Sequence, residues 1–318
     1  METLISVSLF AVGFYVLVKG AQILVNGSAS IAKLLGVSTW FIGAVVVGIG
    51  TSLPEFAINV ASVFNGHNIG LATIIGSHTF NTLFLLGFIS VITPLALKQG
   101  WIMRDVPLNL VVVLTASAAI LIPFFGTATN GISRPEGAVL VTLLIFWFVF
   151  MLNRRNADGD ETAYRVFTIF NSIVLIMLGF IGVFIGGRFV VDGAITIAEL
   201  LRLSPAFVGF TLVAIGTSVP EFTVSIVAAI KKQPGLAIGN IIGSNIFGLF
   251  GVLGTTALIK PIVVAPELRF DIFASLLAAL IFTTVAVLIG KKYHISRAEG
   301  LLLMLAYVAY FVFLIIRG

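Results

Sequence analysis

The polar and apolar positions along the chain fall into long apolar runs separated by short polar breaks. The runs are about 17 to 25 residues each, the length that carries a helix across a ~30 Å hydrocarbon core. In the first half they are Leu4 to Leu24, Thr39 to Phe64, Gly70 to Ala96, Val106 to Phe125 and Gly137 to Leu152. The second half has Phe167 to Val191, Pro205 to Ile230, Leu236 to Ile259, Phe270 to Ile289 and Gly300 to Ile316. Backbone in lipid must satisfy its own hydrogen bonds, so each run predicts a transmembrane helix. The one markedly polar segment is Asn153 to Arg165, with Arg154, Arg155, Asp158, Asp160, Glu161 and Arg165, and it reads as a linker. The expectation is an all-α polytopic membrane protein of ten helices. Residues 1–152 form one five-helix repeat, 153–165 a linker and 166–318 the second repeat.

The two halves are related in sequence. Between Asn26 to Phe56 and Asp192 to Phe222, about half the positions are identical at an offset of 166 residues. Ile31-Ala32 matches Ile197-Ala198 and Gly43 matches Gly209; after a one-residue slip, Gly76-Ser77 matches Gly243-Ser244 and Pro94 matches Pro261. Five spans is an odd number, so the second repeat enters the membrane from the opposite side, the inverted-repeat plan of many secondary transporters.

Composition agrees: 59% of the 318 residues are hydrophobic and 10% charged, against about 25% charged in a soluble domain. Met1 to Leu24 lacks a basic leading segment and a small-residue cleavage site, so it reads as the first span and not a signal peptide. The net charge of +5 comes from basic residues scattered singly or in pairs, with no basic face for nucleic acid. They act instead as topology signals. Connectors after odd-numbered spans carry eleven of them: Lys33, Lys98, Arg104, Arg154, Arg155, Arg165, Lys231, Lys232, Lys291, Lys292 and Arg297. The other connectors and the C-terminus carry five, Arg134, Arg202, Lys260, Arg269 and Arg317. The positive-inside rule then predicts a multi-pass protein of the cell membrane, with the linker cytoplasmic and both termini outside. Lys19 and Arg188 lie within spans one and six, where snorkelling or pairing accounts for them; Asp192 is four residues after Arg188. The absence of cysteine excludes disulfides, thiolate metal sites and a cysteine nucleophile.

Two stretches put chemistry inside this apolar frame. Gly50-Thr51-Ser52-Leu53-Pro54-Glu55 recurs as Gly216-Thr217-Ser218-Val219-Pro220-Glu221. A carboxylate at the bilayer centre costs at least about 2.5 to 3.5 kcal/mol, which points to function. Proline lacks an N–H and clashes with the carbonyl four residues back, so each helix opens just before its glutamate. That frees carbonyls near Ile49 and Gly50, and helical spacing places Thr51, Ser52 and Glu55 close to one face. A second polar cluster follows in each half, Gly76-Ser77-His78-Thr79-Phe80-Asn81 and Gly243-Ser244-Asn245-Ile246-Phe247-Gly248. Its glycines also suit close helix packing without a ligand, and its hydroxyls can bond to the preceding turn. Oxygen ligands without thiolate suit hard cations such as Na+ or Ca2+ and argue against zinc.

These duplicated motifs resemble the paired alpha-repeats of the sodium/calcium exchanger family, over nearly the whole chain apart from the linker. The Thr-Ser-Leu-Pro-Glu form is similar to the sodium-coupled branch more than to the proton-coupled one. The resemblance implies a secondary antiporter in which Na+ and Ca2+ use overlapping positions in turn, while spans one and six slide to alternate access. It implies Glu55 and Glu221 as principal ligands, surrounded by Thr51, Ser52, Thr217, Ser218, Ser77, Ser244 and Asn81, with backbone carbonyls near Gly48 and Ala214. Na+ and Ca2+ are then substrates and no resident cofactor is implied. Two positions depart from the family pattern: Gly248 replaces an acidic or amide side chain, and His78 replaces a small residue or asparagine.

Proton-coupled exchange is the alternative, because burial raises a glutamate's pKa and His78 is a second titratable group. An intramembrane enzyme is disfavoured, since Ser77 and His78 are neighbours that point apart on a helix. A channel fits an inverted repeat around one buried site less well than alternating access does. The charge asymmetry makes a direct prediction about sidedness. An Ala157→Cys variant should resist an impermeant thiol reagent in intact cells and react after permeabilisation; labelling of intact cells would reverse the orientation.

Overall fold

In the computed structural model, residues 2–65, 69–96, 98–122, 124–125, 131–153, 165–200, 216–289 and 294–317 are described. In chain order the helices are α1 (Glu2–Leu34), α2 (Thr39–Ile42), α3 (Gly48–Thr51), α4 (Leu53–Asn65), α5 (Ile69–Thr79), α6 (Leu86–Ile92) and α7 (Val106–Leu121). They continue with α8 (Arg134–Asn153), α9 (Ile169–Leu200), α10 (Val219–Ile230), α11 (Pro234–Ile246), α12 (Leu253–Ile259), α13 (Leu268–Leu288) and α14 (Arg297–Arg317). Among the described residues nine helical spans are long and apolar enough to cross a membrane, and Val219–Ile230 is a shorter apolar helix. The Pro205 to Ile215 part of the seventh predicted span lies outside the described residues, as does the linker between Asn153 and Arg165.

Spans one and six are longer than hydropathy predicts: α1 has 33 residues and α9 has 32, so α1 runs ~50 Å along its axis. A hydropathy reading stops at the polar stretch from Asn26 to Ser30, but Ser28 and Ser30 are fully buried. Ser30 Oγ accepts from the Phe167 amide and from Ser172 Oγ, both at 2.8 Å. Polar residues that bond to a neighbouring helix do not end a helix. Within the spans, Arg188 and Asp192 approach to 3.6 Å on an exposed face, and the Lys19 ammonium lies 5.7 Å from the Tyr15 ring centre.

Several spans are not uniform α-helix. Gly43–Val47, Phe80–Leu85, Trp101–Asp105 and Phe247–Val252 are π-helical. The second and fourth of these are 167 residues apart, at matching register of the two halves. A π turn widens the helix locally, and such turns cluster at functional sites.

The chain forms two compact units, Met1–Thr51 with Arg155–Asn240 and Ser52–Arg154 with Ile241–Gly318. Each unit draws on both halves of the sequence. In the first, α1 and α9 pack antiparallel along their length. Glycines recur every seven residues on both, at 13, 20 and 27 and at 179, 186 and 193. At the centre, a Cβ on Gly20 would lie 2.6 Å from the Val183 amide nitrogen, and one on Gly182 would lie 2.9 Å from the Gly20 Cα. Backbones in lipid associate through such van der Waals contact, because hydrocarbon provides no hydrophobic drive between helices. Just beyond α10, Lys231 Nζ donates to Asn26 Oδ1 of α1 at 2.6 Å. Partial burial, and then the charge of Lys19, lower the Lys231 pKa.

The second unit is built from contacts that come in exchanged pairs. Gly87 of α6 meets the Gly300 carbonyl of α14, and Gly137 of α8 meets the Gly254 carbonyl of α12. Leu95–Ala96 pairs with His294–Ile295, and Gly131–Ile132 with Ile262–Val263, both antiparallel. Glu136 accepts from the Ser133 amide at 2.7 Å and Glu299 from the Ser296 amide at 2.6 Å, a matching carboxylate cap at the starts of α8 and α14. Fully buried Leu86, Ile89, Ile120, Leu140, Leu253 and Phe282 fill the spaces between these helices.

The contact between α1 and α9 sets a testable limit. Gly20→Leu forces a side chain into backbone, and overpacking of this kind costs about 1 to 3 kcal/mol. The detergent-solubilised variant should lose its monodisperse gel-filtration peak at a lower temperature than wild type. Gly100→Ala, where an added Cβ meets nothing within 4 Å among the described residues, is the control and should leave that temperature unchanged.

Candidate ion-binding site

The predicted helix break of the first half is present, and in the second half the turn and the helix that follows it are described. The second span passes from α3 through a turn at Ser52 into α4, with Pro54 and Glu55 in the first turn of α4. The Ser52 carbonyl accepts from the Phe56 amide at 3.1 Å, so the new helix begins there. The copy behaves alike: Ser218 (φ −90°, ψ 2°) precedes α10, Pro220 and Glu221 occupy its first turn, and the Ser218 carbonyl accepts from the Phe222 amide at 2.9 Å. Each glutamate therefore sits at a helix N-terminus, where the unsatisfied amides carry partial positive charge and favour a carboxylate. Both are buried in the membrane-spanning part of the chain, Glu55 5% and Glu221 1% exposed.

The predicted ligands divide between the units. Gly48, Thr51, Thr217, Ser218 and Glu221 belong to the first; Ser52, Glu55, Ser77, Asn81 and Ser244 belong to the second. Thr51, Ser52, Ser77, Asn81, Ser218 and Ser244 are buried and Thr217 is half-buried. Ala214 lies outside the described residues. In the first unit the Thr51 hydroxyl has two acceptors, the Gly48 carbonyl at 3.3 Å and Asn240 Oδ1 at 3.1 Å. Asn240 Nδ2 donates to the backbone carbonyl of Glu221 at 3.2 Å and to Ser225 Oγ at 2.8 Å.

In the second unit, Asn59 Nδ2 donates to the Glu55 carbonyl at 2.9 Å. Asn81 opens onto a polar chain. Its Nδ2 donates to Asn245 Oδ1 at 3.3 Å, and Asn245 Nδ2 donates to Thr82 Oγ1 at 3.2 Å and to Asn109 Oδ1 at 3.4 Å. His78 Nδ1 lies 2.7 Å from Ser275 Oγ and its Nε2 3.3 Å from Thr82 Oγ1. Asn81 Oδ1 and Asn109 Nδ2 are buried without a hydrogen-bond partner among the described residues.

Sequence reasoning missed Asn59, Asn109 and Asn240, and gave Asn245 no role. Each interrupts an otherwise apolar span, and a buried amide without partners costs several kcal/mol. That cost was the available signal that each is part of a network. Which partners they take depends on residues as distant as Thr51 from Asn240 and was not readable. Among the described residues, no group of three or more His, Asp or Glu side chains forms a metal cluster. The buried polar groups here are hydroxyl, amide, carbonyl and isolated carboxylate oxygens, a donor set that suits a hard ion.

Apolar spans broken at two buried carboxylates, with polar networks in their interior, place the chain among polytopic membrane transporters. The sequence model of the family described as "Sodium/calcium exchanger protein" matches residues 5–153 and 171–316. The chain belongs to the sodium/calcium exchanger family. It is 30% identical to the sodium/calcium exchanger MaX1 of Methanosarcina acetivorans, covering 95% of this chain and 96% of that one. It is 31% identical to the inner membrane protein YrbG of Escherichia coli, covering 88% of each. Among solved structures, the sodium-calcium exchanger NCX_Mj soaked with 2.5 mM Na+ and 0.1 mM Ca2+ superposes with a TM-score of 0.82 at 30% identity, covering 97% of this chain and 98% of that one.

The departure at Gly248 has a steric answer. Among the described residues a Cβ there would meet only Ile74 Cγ2, at 3.6 Å, an ordinary contact; His78 is engaged with Ser275 and Thr82. Gly248→Asp should therefore fold, and by adding a charged oxygen it should tighten Ca2+ binding by about ten-fold. Calorimetric Ca2+ titration in detergent, with gel filtration as the folding control, measures this; a folded variant with unchanged affinity would mean that position 248 does not face the ion.

Proposed function

We propose that this chain is a secondary active antiporter that exchanges Ca2+ against Na+ by alternating access at a mid-membrane site. The observation that carries the reading is the duplicated break. Twice, a proline-containing turn inside an apolar span delivers a buried glutamate to a helix N-terminus beside paired hydroxyls. Two carboxylates balance one divalent cation or two monovalent ones, so Na+ and Ca2+ compete for one set of oxygens. Glu55 and Glu221 are the principal ligands in this reading, with Thr51, Ser52, Thr217, Ser218, Ser77, Ser244 and Asn81 and the carbonyls of Gly48 and Ala214 around them. The glycine-lined contact of α1 with α9 supports the two long helices moving as one body.

The architecture we propose is two inverted five-helix repeats, residues 1–152 and 166–318, in the cell membrane with the linker cytoplasmic. The exchanged pairs support it. The α6–α14 and α8–α12 contacts, the two short strand pairs and the π segments at Phe80–Leu85 and Phe247–Val252 each recur with the roles of the halves swapped. A second reading, proton-coupled exchange, draws on His78, a titratable side chain buried inside a span with polar partners on both ring nitrogens.

Calcium-45 uptake into proteoliposomes tests both. An outward Na+ gradient should drive uptake, and a pH gradient alone should not; the reverse result would make the protein proton-coupled. Glu55→Gln and Glu221→Gln should each reduce exchange to below about 1% of wild type, because removing one partner leaves an uncompensated charge in low dielectric. Wild-type exchange by either variant would remove that glutamate from the site.

A further inference from the structure

We propose that Asn240 is a positioning residue of the cation site, which fixes the Thr51 hydroxyl as an oxygen donor to the ion. The inference rests on the ion-binding reading of Thr51 and Glu221 given above. Its basis is the hydrogen-bond polarity around one fully buried amide. An asparagine side chain has one acceptor oxygen and two N–H donors. Asn240 Nδ2 is 3.2 Å from the Glu221 backbone carbonyl, which only accepts, and 2.8 Å from Ser225 Oγ. Ser225 sends its own proton to the Ala237 carbonyl, 3.3 Å away, so its oxygen accepts from Asn240. Flipping the amide would set Oδ1 against the Glu221 carbonyl, acceptor to acceptor. The orientation is thereby decided, and Oδ1 is the atom that meets Thr51.

The polarity then passes to the threonine. Thr51 Oγ1 lies 3.1 Å from Asn240 Oδ1 and 3.3 Å from the Gly48 carbonyl, both acceptors. Both draw the hydroxyl's one proton toward themselves, which turns the lone pairs of Oγ1 away from them. A threonine free to rotate would spend part of its time with the proton toward the ion, which repels it. The same amide also ties the Glu221 carbonyl to the helix break that carries Thr51, so one residue sets the hydroxyl polarity of the first motif and braces the backbone of the second. At the matching register of the first half stands Thr73, so this amide is particular to one repeat and makes the two motifs chemically unequal.

A double-mutant cycle on half-saturating Ca2+ in proteoliposomes tests the proposal. Asn240→Leu should raise half-saturating Ca2+ by about ten-fold, as for loss of one ion-directed oxygen, with the maximal rate within about two-fold of wild type. Thr51→Val should do the same, and the double variant should be no worse than Thr51→Val alone, because Asn240 acts through that hydroxyl. Effects that multiply in the double variant, or a loss of maximal rate without a change in half-saturation, would overturn the proposal and leave Asn240 a structural brace. Where the leucine variant aggregates, Asn240→Thr, the residue of the matching register, enters the same cycle. Full exchange by Glu55→Gln and Glu221→Gln would instead remove the ion-binding reading itself, an outcome distinct from multiplicative effects at 51 and 240.

Discussion

A helix that stops inside a membrane leaves carbonyls and amides that lipid cannot satisfy, and the structure is arranged around answering that problem twice. At Ser52 and at Ser218 the backbone turns and a new helix begins, with proline one residue before a buried glutamate. The exposed amides of the new helix favour the carboxylate, and asparagine side chains bond the carbonyls of both glutamates, Asn59 for Glu55 and Asn240 for Glu221. The break thus becomes a fixed display of oxygens. Proline makes the opening, and the amides keep it from collapsing into disordered backbone.

The same economy of polar groups governs packing. With no hydrophobic drive between helices in lipid, α1 and α9 rely on backbone contact along glycines seven residues apart, supplemented by Ser30 with Ser172. In the second unit, glycine contacts between α6 and α14 and between α8 and α12 do similar work near the ends of the spans. The interior there is held by amides and hydroxyls, from Ser275 through His78 and Thr82 to Asn245 and its two asparagine neighbours. Such networks resist rearrangement when every member is bonded. The two unpartnered atoms, on Asn81 and Asn109, mark where this one is incomplete.

Much of this was legible in the residues themselves. Membrane insertion follows from the length of apolar runs, because ~20 residues of helix match the hydrocarbon core. The breaks follow from proline, whose ring forbids a continuous ladder whatever surrounds it. The duplicated motifs were plain from identity at a fixed offset, and their residues carried the resemblance to the family. Local covalent chemistry and sequence length determine these features, so no neighbour is needed to read them.

Tertiary structure decided the rest. Helix α1 runs on to Leu34 through a polar stretch because Ser28 and Ser30 are buried and Ser30 meets α9, a fact no window of hydropathy contains. The π turns at Phe80–Leu85 and Phe247–Val252 replace what reads as plain α-helix. Asn240 reads as one polar residue in an apolar span until Thr51, Ser225 and the Glu221 carbonyl are brought around it. Hydrophobic length and proline geometry act through the chain's own covalent structure. The direction of a hydroxyl proton depends on which acceptors a distant segment supplies, and only the folded chain brings residue 240 to residue 51.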